Sequence, residues 1–213
     1  MKHSYFIHPS IAIMKRVIDL TFSIISLVLS LPLFIIIALF IKLSSSGNVF
    51  YSQLRVGMIQ AGKVNHFHMI KFRTMVENAE TESGAIWASN DDNRLTTIGK
   101  FLRRTRLDEL PQFINVIQGD MSLIGPRPER PEIVKQLEKE IPFYSERTYE
   151  MKPGITGLAQ VSQGYDTCID DVRAKIAYDF AYSLSLSKLD SWTVVEIQII
   201  FKTLLIMLLG RGR

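Results

Sequence analysis

The chain has 213 residues, enough for one domain, or one domain with an appendage, that buries a real hydrophobic core. Its 25 Lys and Arg residues against 21 Asp and Glu residues give a formal net charge of +4, an excess too small to indicate nucleic-acid binding, whereas a membrane surface or a phosphorylated substrate fits it. The single cysteine, Cys168, excludes an intrachain disulfide, and the four histidines show no zinc-site spacing, so a reducing, cytoplasmic environment is favoured.

The first predicted element is an apolar segment near the N-terminus. Residues 20–41 carry no charged side chain, and such a run is long enough to cross a hydrocarbon core of about 30 Å. A secretory signal peptide is the rival interpretation, since basic residues precede the run and small polar residues follow it. The run is longer than the apolar part of a usual signal peptide, so we predict a retained membrane segment.

A proline interrupts this segment. Pro32 lies near its middle, with Ser30 close enough to satisfy a freed carbonyl group, and this combination predicts a kink. Lys15 and Arg16 precede the segment and Lys42 follows it, so the positive-inside rule gives no preference for opposite sides of the membrane. From these residues alone, a kinked spanning helix and a segment that turns back remain equal alternatives.

The polar middle of the chain predicts a β-hairpin followed by helices. The strands are expected around Val49 to Val56 and Lys63 to Phe72, joined by GMIQAGK. Helices are expected at Thr96 to Arg104, Asp108 to Gln118, Pro131 to Lys139 and Ile169 to Leu184.

A last helical pattern occupies residues 190–213. Glu196 and Lys202 stand among otherwise apolar residues, with a Trp near the start and arginines at the end. This pattern fits a helix in the membrane interface and a core helix of the soluble domain equally well.

The stretch RRTRLDELPQ, residues 103–112, contains the first chemical signal. Pro111 is tolerated only in a first helical turn, which places a helix start near Asp108, a good N-cap residue. The helix terminus would hold Asp108 ionised and attract phosphate oxygens, so Asp108 is a candidate nucleophile. Glu109 points about 100° away and would play another part, such as binding a metal. A plain helix cap is the alternative, because Asp and Glu are common at helix starts.

Basic residues surround this acidic pair in the sequence. They precede it, they end the second strand, and one lies in GPRPE, where two prolines stiffen the backbone. These neighbouring basic residues favour a phosphate-binding site. The residues are Lys71, Arg73, Arg103, Arg104, Arg106 and Arg127. The sequence has no Walker loop and no G-x-G-x-x-G pattern, so nucleotide binding by those loops is not predicted.

Taken together, the motifs resemble one enzyme family from about Lys15 to the C-terminus. They are KRVIDL, the proline-broken apolar segment, QLRVG, KFRTM, RLDELPQ, GDMSLIGPRPE, KPGITGLAQV and KIAYDFAY. This set resembles the bacterial monotopic phosphoglycosyl transferases, which are polyprenyl-phosphate sugar-phosphate transferases. The resemblance implies transfer of a sugar phosphate from a UDP-sugar to a polyprenyl (undecaprenyl) phosphate, with release of UMP, as the initiating step of surface polysaccharide or glycoconjugate synthesis.

The resemblance also implies roles for individual residues. Asp108 would be the nucleophile that forms a covalent aspartyl sugar-phosphate intermediate, with Glu109 as its partner, and both would hold Mg²⁺. Matching basic residues imply substrate binding by Lys71, Arg103 and Arg127, and a matching acidic residue implies the same for Asp179. We add Arg73, which stands beside Lys71 at the strand end, to the candidate substrate-binding residues.

The implied architecture is α+β and predominantly helical. Residues 1–46 would form an N-terminal segment and a re-entrant membrane helix broken at Pro32. Residues 47–213 would form a catalytic domain with a short β-hairpin and interfacial amphipathic helices, in contact with membrane lipids at the cytoplasmic face of the bacterial inner membrane. No nucleic-acid partner is expected, and homo-oligomerisation is left open.

The chain departs from the family pattern at two places. Leu31 precedes Pro32 where many members have Ser, and SQGYD at residues 162–166 replaces an Asn-Gly-Arg run that often follows AQV.

Overall fold

The computed structural model describes residues 7–77, 79, 92–163 and 168–209. Seven α-helices and four strands occupy these residues. In chain order they are α1 (Pro9–Ser44), β1 (Phe50–Gln60), β2 (Lys63–Phe72), α2 (Thr97–Thr105), α3 (Gln112–Gln118), β3 (Ser122–Ile124), α4 (Pro131–Glu140), β4 (Gly154–Thr156), α5 (Leu158–Ser162), α6 (Ile169–Ser185) and α7 (Leu189–Leu208). Two 3-10 turns, Leu107–Glu109 and Tyr144–Thr148, lie between them. The predicted α+β, mostly helical class and the hairpin are confirmed.

Helix α1 is 36 residues long and continues through Pro32 as α-helix. Pro32 lacks the N–H that would bond the carbonyl of Val28. Ser30 was expected to satisfy that freed group, but its hydroxyl donates instead to the carbonyl of Leu27, at 3.1 Å. The expectation for Ser30 is therefore wrong in this detail, and the re-entrant topology stays a prediction.

Both halves of α1 pack against the same globular body. In the first half, Arg16 donates to the carbonyls of Val116 and Ile117 at the end of α3, at 2.6 and 2.9 Å. In the second half, Ile37 and Ile41 are buried in a cluster that includes side chains of β2 and α2.

The first half of α1 also contributes a buried acid. The Asp19 carboxylate accepts from the hydroxyl of Ser122 at 3.1 Å and from the backbone N–H of Leu123 at 2.9 Å. Both bonds join α1 to β3, so the charged side chain that directly precedes the apolar run faces protein.

Within the described part of the chain, α1 and α7 are the two helices long and apolar enough to cross a membrane by length and composition. Only 11% of the most apolar stretch of each helix is buried. A core helix of a soluble protein would be mostly buried, so these exposed apolar faces require another covering.

Strands β1 and β2 form an antiparallel hairpin. The loop between the strands is shorter than predicted, because β1 continues to Gln60 and the turn contains only Ala61 and Gly62. Both turn residues have positive φ, 50° and 74°, as the two-residue turns of twisted hairpins require. The turn sends β2 back toward the body, where it ends at Phe72.

The helix predicted from Asp108 begins later, at Gln112. Pro111 has no N–H to donate to the carbonyl of Leu107, and that carbonyl accepts instead from the N–H of Leu110, at 3.3 Å. The chain therefore forms a 3-10 turn at Leu107–Glu109 before α3. The predicted end is confirmed, since Gly119 caps α3 with φ of 94°.

The other predicted helices are confirmed within one or two residues as α2, α4 and α6. The short parallel pairing of β3 with β4 was not predicted. It joins GDMSLIGP to KPGITG across about 30 residues of chain, and three-residue strands leave too short a pattern to recognise.

Candidate active site

Asp108 and Glu109 lie together in the 3-10 turn and are both buried, at 6% and 7% exposure. The turn is held on both sides, because Leu107 and Leu110 pack against the apolar cluster formed by α1, β2 and α2. Because Leu107 and Leu110 are packed on either side of the acidic pair, the two carboxylates between them lie in the protein interior.

The buried side-chain amide of Asn115 joins α3 to β2 and so fixes the position of the acidic pair relative to the strand. The Nδ2 of Asn115 donates to the carbonyl of His68 at 2.8 Å, and its Oδ1 accepts from the N–H of Ile70 at 3.0 Å. These bonds place Glu109, just before α3, beside Lys71 on the strand.

Glu109 is the anion on which the cations converge. Its Oε1 accepts from Lys71 Nζ at 3.1 Å and from Arg127 Nη1 at 3.3 Å. Its Oε2 is 3.5 Å from Arg106 Nη1. The predicted residues Lys71 and Arg127 are therefore at the acidic pair, and Arg106 joins them.

The two carboxyls have opposite electrostatic environments. Burial raises the pKa of Asp108 to about 6, with the neighbouring Glu109 charge adding to the effect. Burial also opposes ionisation of Glu109, but Lys71, Arg127 and Arg106 outweigh it and hold the pKa of Glu109 well below its usual range. The expected cause, a helix terminus that favours the ionised form of Asp108, is not found, since α3 starts four residues later and desolvation raises the pKa of Asp108.

Arg103 and Arg73 make different contacts. The Nε of Arg103 donates to Thr74 Oγ1 at 3.1 Å, and its charge partly opposes the rise that burial causes in the pKa of Asp108. Arg73 donates to the carbonyl and the hydroxyl of Ser45, at 2.8 and 3.0 Å. Arg73 thus holds the end of α1, and substrate binding by Arg73 stays a prediction.

Asp179 is brought to the same region through an arginine that the sequence analysis missed. Arg147 Nη1 donates to Asp179 Oδ2 at 2.7 Å, and Arg147 Nη2 donates to the carbonyl of Arg127 at 2.5 Å. Burial raises the pKa of Asp179, and the Arg147 charge opposes this rise. Asp179 therefore supports the backbone of Arg127, one layer behind the acidic pair.

A small cavity of about 20 Å³ lies beside this layer. Its polar lining consists of Arg127, Glu129, Arg147, Gln160, Lys175 and Asp179, and its walls include the ring of Tyr144. The departure from the family pattern at residues 162–166 lies partly outside the described residues.

The acidic pair fits a hard divalent cation. Mg²⁺ usually takes one or two protein carboxylates and completes its shell with waters and substrate phosphates. Asp108 and Glu109 supply two adjacent carboxylates, and the ion pairs of the cluster go to Glu109, while Asp108 has a raised pKa. A cation beside Asp108 would offset the free-energy cost of ionising this buried carboxyl. No group of three or more metal-ligating side chains occurs among the described residues.

The sequence profile of the family described as bacterial sugar transferase matches residues 10–210. The chain is 45% identical over 205 residues to the UDP-N-acetylgalactosamine-undecaprenyl-phosphate N-acetylgalactosaminephosphotransferase of Aeromonas hydrophila, covering 96% of this chain and 46% of that protein. It is 38% identical to the UDP-glucose:undecaprenyl-phosphate glucose-1-phosphate transferase of Klebsiella pneumoniae, covering 90% and 39%. It is 33% identical to the exopolysaccharide production protein ExoY of Sinorhizobium fredii, covering 97% and 90%. The chain thus spans less than half the length of the first two relatives.

Proposed function

Because this chain belongs to the bacterial sugar transferase family, we propose that it transfers a sugar phosphate from a UDP-sugar to undecaprenyl phosphate and releases UMP. We place this reaction at the cytoplasmic face of the bacterial inner membrane, as the first step of a surface polysaccharide or glycoconjugate. The observation that carries the proposal is the buried acidic pair of Asp108 and Glu109 under Lys71, Arg106 and Arg127.

The proposed reaction has two displacements at one phosphorus atom. A carboxylate oxygen of Asp108 attacks the sugar-linked phosphorus of the donor, and the bond from that phosphorus to the UMP oxygen breaks. The product is an acyl phosphate that carries the sugar, together with UMP. A phosphate oxygen of the lipid then attacks the same phosphorus, and the bond to Asp108 breaks, which returns the free carboxylate.

Charge neutralisation is the main requirement, because a carboxylate attacks a diphosphate of the same sign. Lys71 and Arg127 already lie 3.1 and 3.3 Å from Glu109, so donor phosphate oxygens that arrive beside Glu109 meet both cations. Mg²⁺ held by Asp108 and Glu109 would add positive charge against the phosphate oxygens. Glu109 stays an anion throughout, since the cations around it hold its pKa low.

We also propose that α1 enters the membrane and returns to the same side. Its two halves contact one globular body, through Arg16 and Asp19 before the middle and through Ile37 and Ile41 after it. No residue of α1 between Ser23 and Ile37 is buried, and these fourteen helical steps rise about 21 Å, less than the hydrocarbon thickness of about 30 Å. The exposed apolar face of α7 would rest in the same leaflet.

The test of the proposed nucleophile is Asp108→Asn in the full chain, purified in detergent. The wild-type protein, given a UDP-sugar without lipid acceptor, should release up to one UMP per chain and gain the mass of a sugar phosphate. The variant should gain no mass, and its steady-state rate should fall by at least about 1,000-fold. Donors named for the relatives, UDP-N-acetylgalactosamine and UDP-glucose, start the panel.

Asp170→Asn is the matched control, because Asp170 is exposed and pairs with Arg173 on the surface. This control should keep the wild-type rate. UMP release by Asp108→Asn at the wild-type rate would contradict the nucleophile assignment. A binding module without turnover would release no UMP in any of the three proteins.

A further inference from the structure

The loop that carries Arg127, GPRPE at residues 125–129, is held by its backbone. Four consecutive carbonyls of this loop, those of residues 126–129, each accept a hydrogen bond from another part of the chain. The N–H of Gly154 donates to Pro126 at 2.9 Å, Arg147 Nη2 to Arg127 at 2.5 Å, Arg55 Nη1 to Pro128 at 3.1 Å and the N–H of Val56 to Glu129 at 2.9 Å. The two prolines of the loop restrict φ at their own positions as well. The backbone at Arg127 therefore has little freedom.

The side chain of Arg127 is less confined than its backbone. Of the three cations at Glu109 it is the most exposed, at 38% against 16% for Lys71 and 23% for Arg106. A long, exposed side chain has many rotamers, and holding it in one of them costs conformational entropy. The region that its guanidinium can reach is set by the position of the backbone. Groups that hold the loop therefore help to decide whether Arg127 lies beside Glu109.

Arg55, from the QLRVG motif in β1, is one of the groups that hold this loop. Its side chain is only 14% exposed, and its ion pair with Glu129 is 3.8 Å long. Burial lowers the pKa of Arg55 to about 10; the Glu129 carboxylate opposes this shift, and the charges of Arg127 and Arg130 add to it. Replacing a buried ion pair by apolar side chains of similar size often stabilises a protein, so fold stability alone does not explain a guanidinium here. Its hydrogen bond to the loop of Arg127 does.

Arg55 and Lys71 belong to the same hairpin. Strand β1 carries Arg55, strand β2 carries Lys71, and the two strands pair antiparallel. From this hairpin Lys71 reaches Glu109 Oε1 at 3.1 Å. Arg55 holds the loop from which Arg127 reaches the same oxygen at 3.3 Å. The bond from Arg55 to the loop therefore ties the positions of these two cations to each other.

We propose that Arg55 is a positioning residue for the transfer reaction and that it acts through Arg127. It holds the loop so that the guanidinium of Arg127 stands beside Lys71, where the phosphates of the donor arrive. In the described part of the chain, Arg55 makes no hydrogen bond or ion pair with Asp108 or Glu109, so its effect on the acidic pair is indirect. This inference rests on the proposed transferase function.

A double-mutant cycle tests this inference. Arg55→Met removes the donor to Pro128, and Arg127→Met removes the guanidinium that the loop presents. In the full chain, assayed for UMP release with the best UDP-sugar of the panel, Arg55→Met should lower kcat/KM for the donor by at least about 10-fold, because a displacement of about 1 Å in a group that orients a substrate can cost that much. In the Arg127→Met background the same change should cost less than about twofold, since the group that Arg55 positions is already gone.

A merely structural role of Arg55 predicts a different result. A residue that only stabilises the fold lowers kcat/KM by the same factor in both backgrounds, because the loss of folded protein does not depend on the Arg127 side chain. Denaturant unfolding of wild type and every variant in one detergent establishes that each is folded at the assay temperature. Lys63→Met is the matched control, since Lys63 is an exposed cation at the start of β2 in the same hairpin. It should leave kcat/KM unchanged in both backgrounds.

Two outcomes overturn the inference. An unchanged kcat/KM in folded Arg55→Met would remove Arg55 from the reaction, and equal losses in the two backgrounds would show that Arg55 does not act through Arg127. If Arg55→Met does not fold, Arg55→Gln carries the same expectations, because its shorter amide stops before the Pro128 carbonyl. Failure of the proposed function is a separate result, since wild type itself would then release no UMP.

Discussion

At the level of single residues, the acidic pair shows how two neighbouring carboxyls acquire different pKa values. Glu109 is surrounded by Lys71, Arg106 and Arg127 and stays ionised. Asp108 is equally buried but has a raised pKa. Environments that separate two pKa values in this way are typical of catalytic pairs.

The raised pKa of Asp108 predicts a pH dependence. The proposed attack requires the ionised carboxylate, and the Asp108 pKa is about 6, so the first-turnover rate of UMP release should be half-maximal near that pH and level off about one pH unit above it. At pH 5 about nine tenths of Asp108 is protonated, and the rate should be about tenfold lower. Rapid-quench measurement at constant ionic strength checks this. A rate that stays constant down to pH 4.5 would contradict it.

The pair of Arg147 and Asp179 predicts a large loss of stability on truncation. Arg147→Met leaves the Asp179 carboxylate buried without its cation, which should cost about 3–5 kcal/mol in the free energy of unfolding. Arg173→Met breaks an exposed pair with Asp170 and should cost less than about 1 kcal/mol. Denaturant unfolding of both variants in one detergent is the measurement. Equal losses of unfolding free energy in the two variants would show that the buried pair of Arg147 and Asp179 contributes no more to stability than the exposed pair.

At the level of elements, the site depends on how α3 is seated between α1 and β2. Arg16 of α1 binds the last carbonyls of α3, and Asn115 in α3 binds the backbone of β2. The acidic pair directly precedes α3, so both attachments affect where the pair lies. Helix α1 and the site are thereby parts of one packed unit.

Asn115→Ala should therefore affect both stability and rate. It removes two buried hydrogen bonds and leaves backbone groups of β2 unpaired, which should cost about 2–4 kcal/mol. The rate should also fall at temperatures where the variant is folded, because Lys71 and Glu109 lose their alignment. Asn65→Ala, an exposed position of the same strand, is the control. A wild-type rate in folded Asn115→Ala would mean that α3 keeps its position on β2 without the side-chain amide of Asn115.

At the level of the whole molecule, the apolar surface lies on α1 and α7. Their outward residues include Leu29, Ile35, Phe201 and Leu208, exposed by 76%, 73%, 67% and 85%. Patches of this kind mark a membrane contact or a protein interface. Because both ends of α1 pack on the body that carries the site, a membrane around its middle would hold the site near the bilayer surface.

Cysteine labelling tests the proposed re-entrant topology, in which both ends of α1 lie on the same side of the membrane. Ser10→Cys and Ser46→Cys, each in a chain with Cys168 replaced by Ser, place one thiol at each exposed end of α1. In intact cells, a membrane-impermeant thiol reagent should reach neither position, and permeabilised cells should show labelling of both. The native Cys168, which is exposed, reports the side of the catalytic body as the control. Labelling of one end alone in intact cells would establish a spanning helix.

Much of the local structure was predictable because it depends on near neighbours. Helical periodicity, the glycine at position 119 and the hairpin pattern each act within a few residues. The apolar run, its proline and the acidic pair with its basic neighbours were likewise apparent from order alone. The start of α3 was misplaced because the 3-10 turn exchanges one carbonyl partner for another, a detail that no pattern encodes.

The sequence by itself determined the elements, the family resemblance and the candidates for chemistry. Only the tertiary structure decided which cation meets which anion: Lys71 and Arg127 with Glu109, and Arg147 with Asp179. It also decided that Arg73 holds the end of α1. These pairs join residues 18 to 38 positions apart. Partners at that separation are selected by chain packing and by the cost of leaving a buried charge unpaired, not by local propensity.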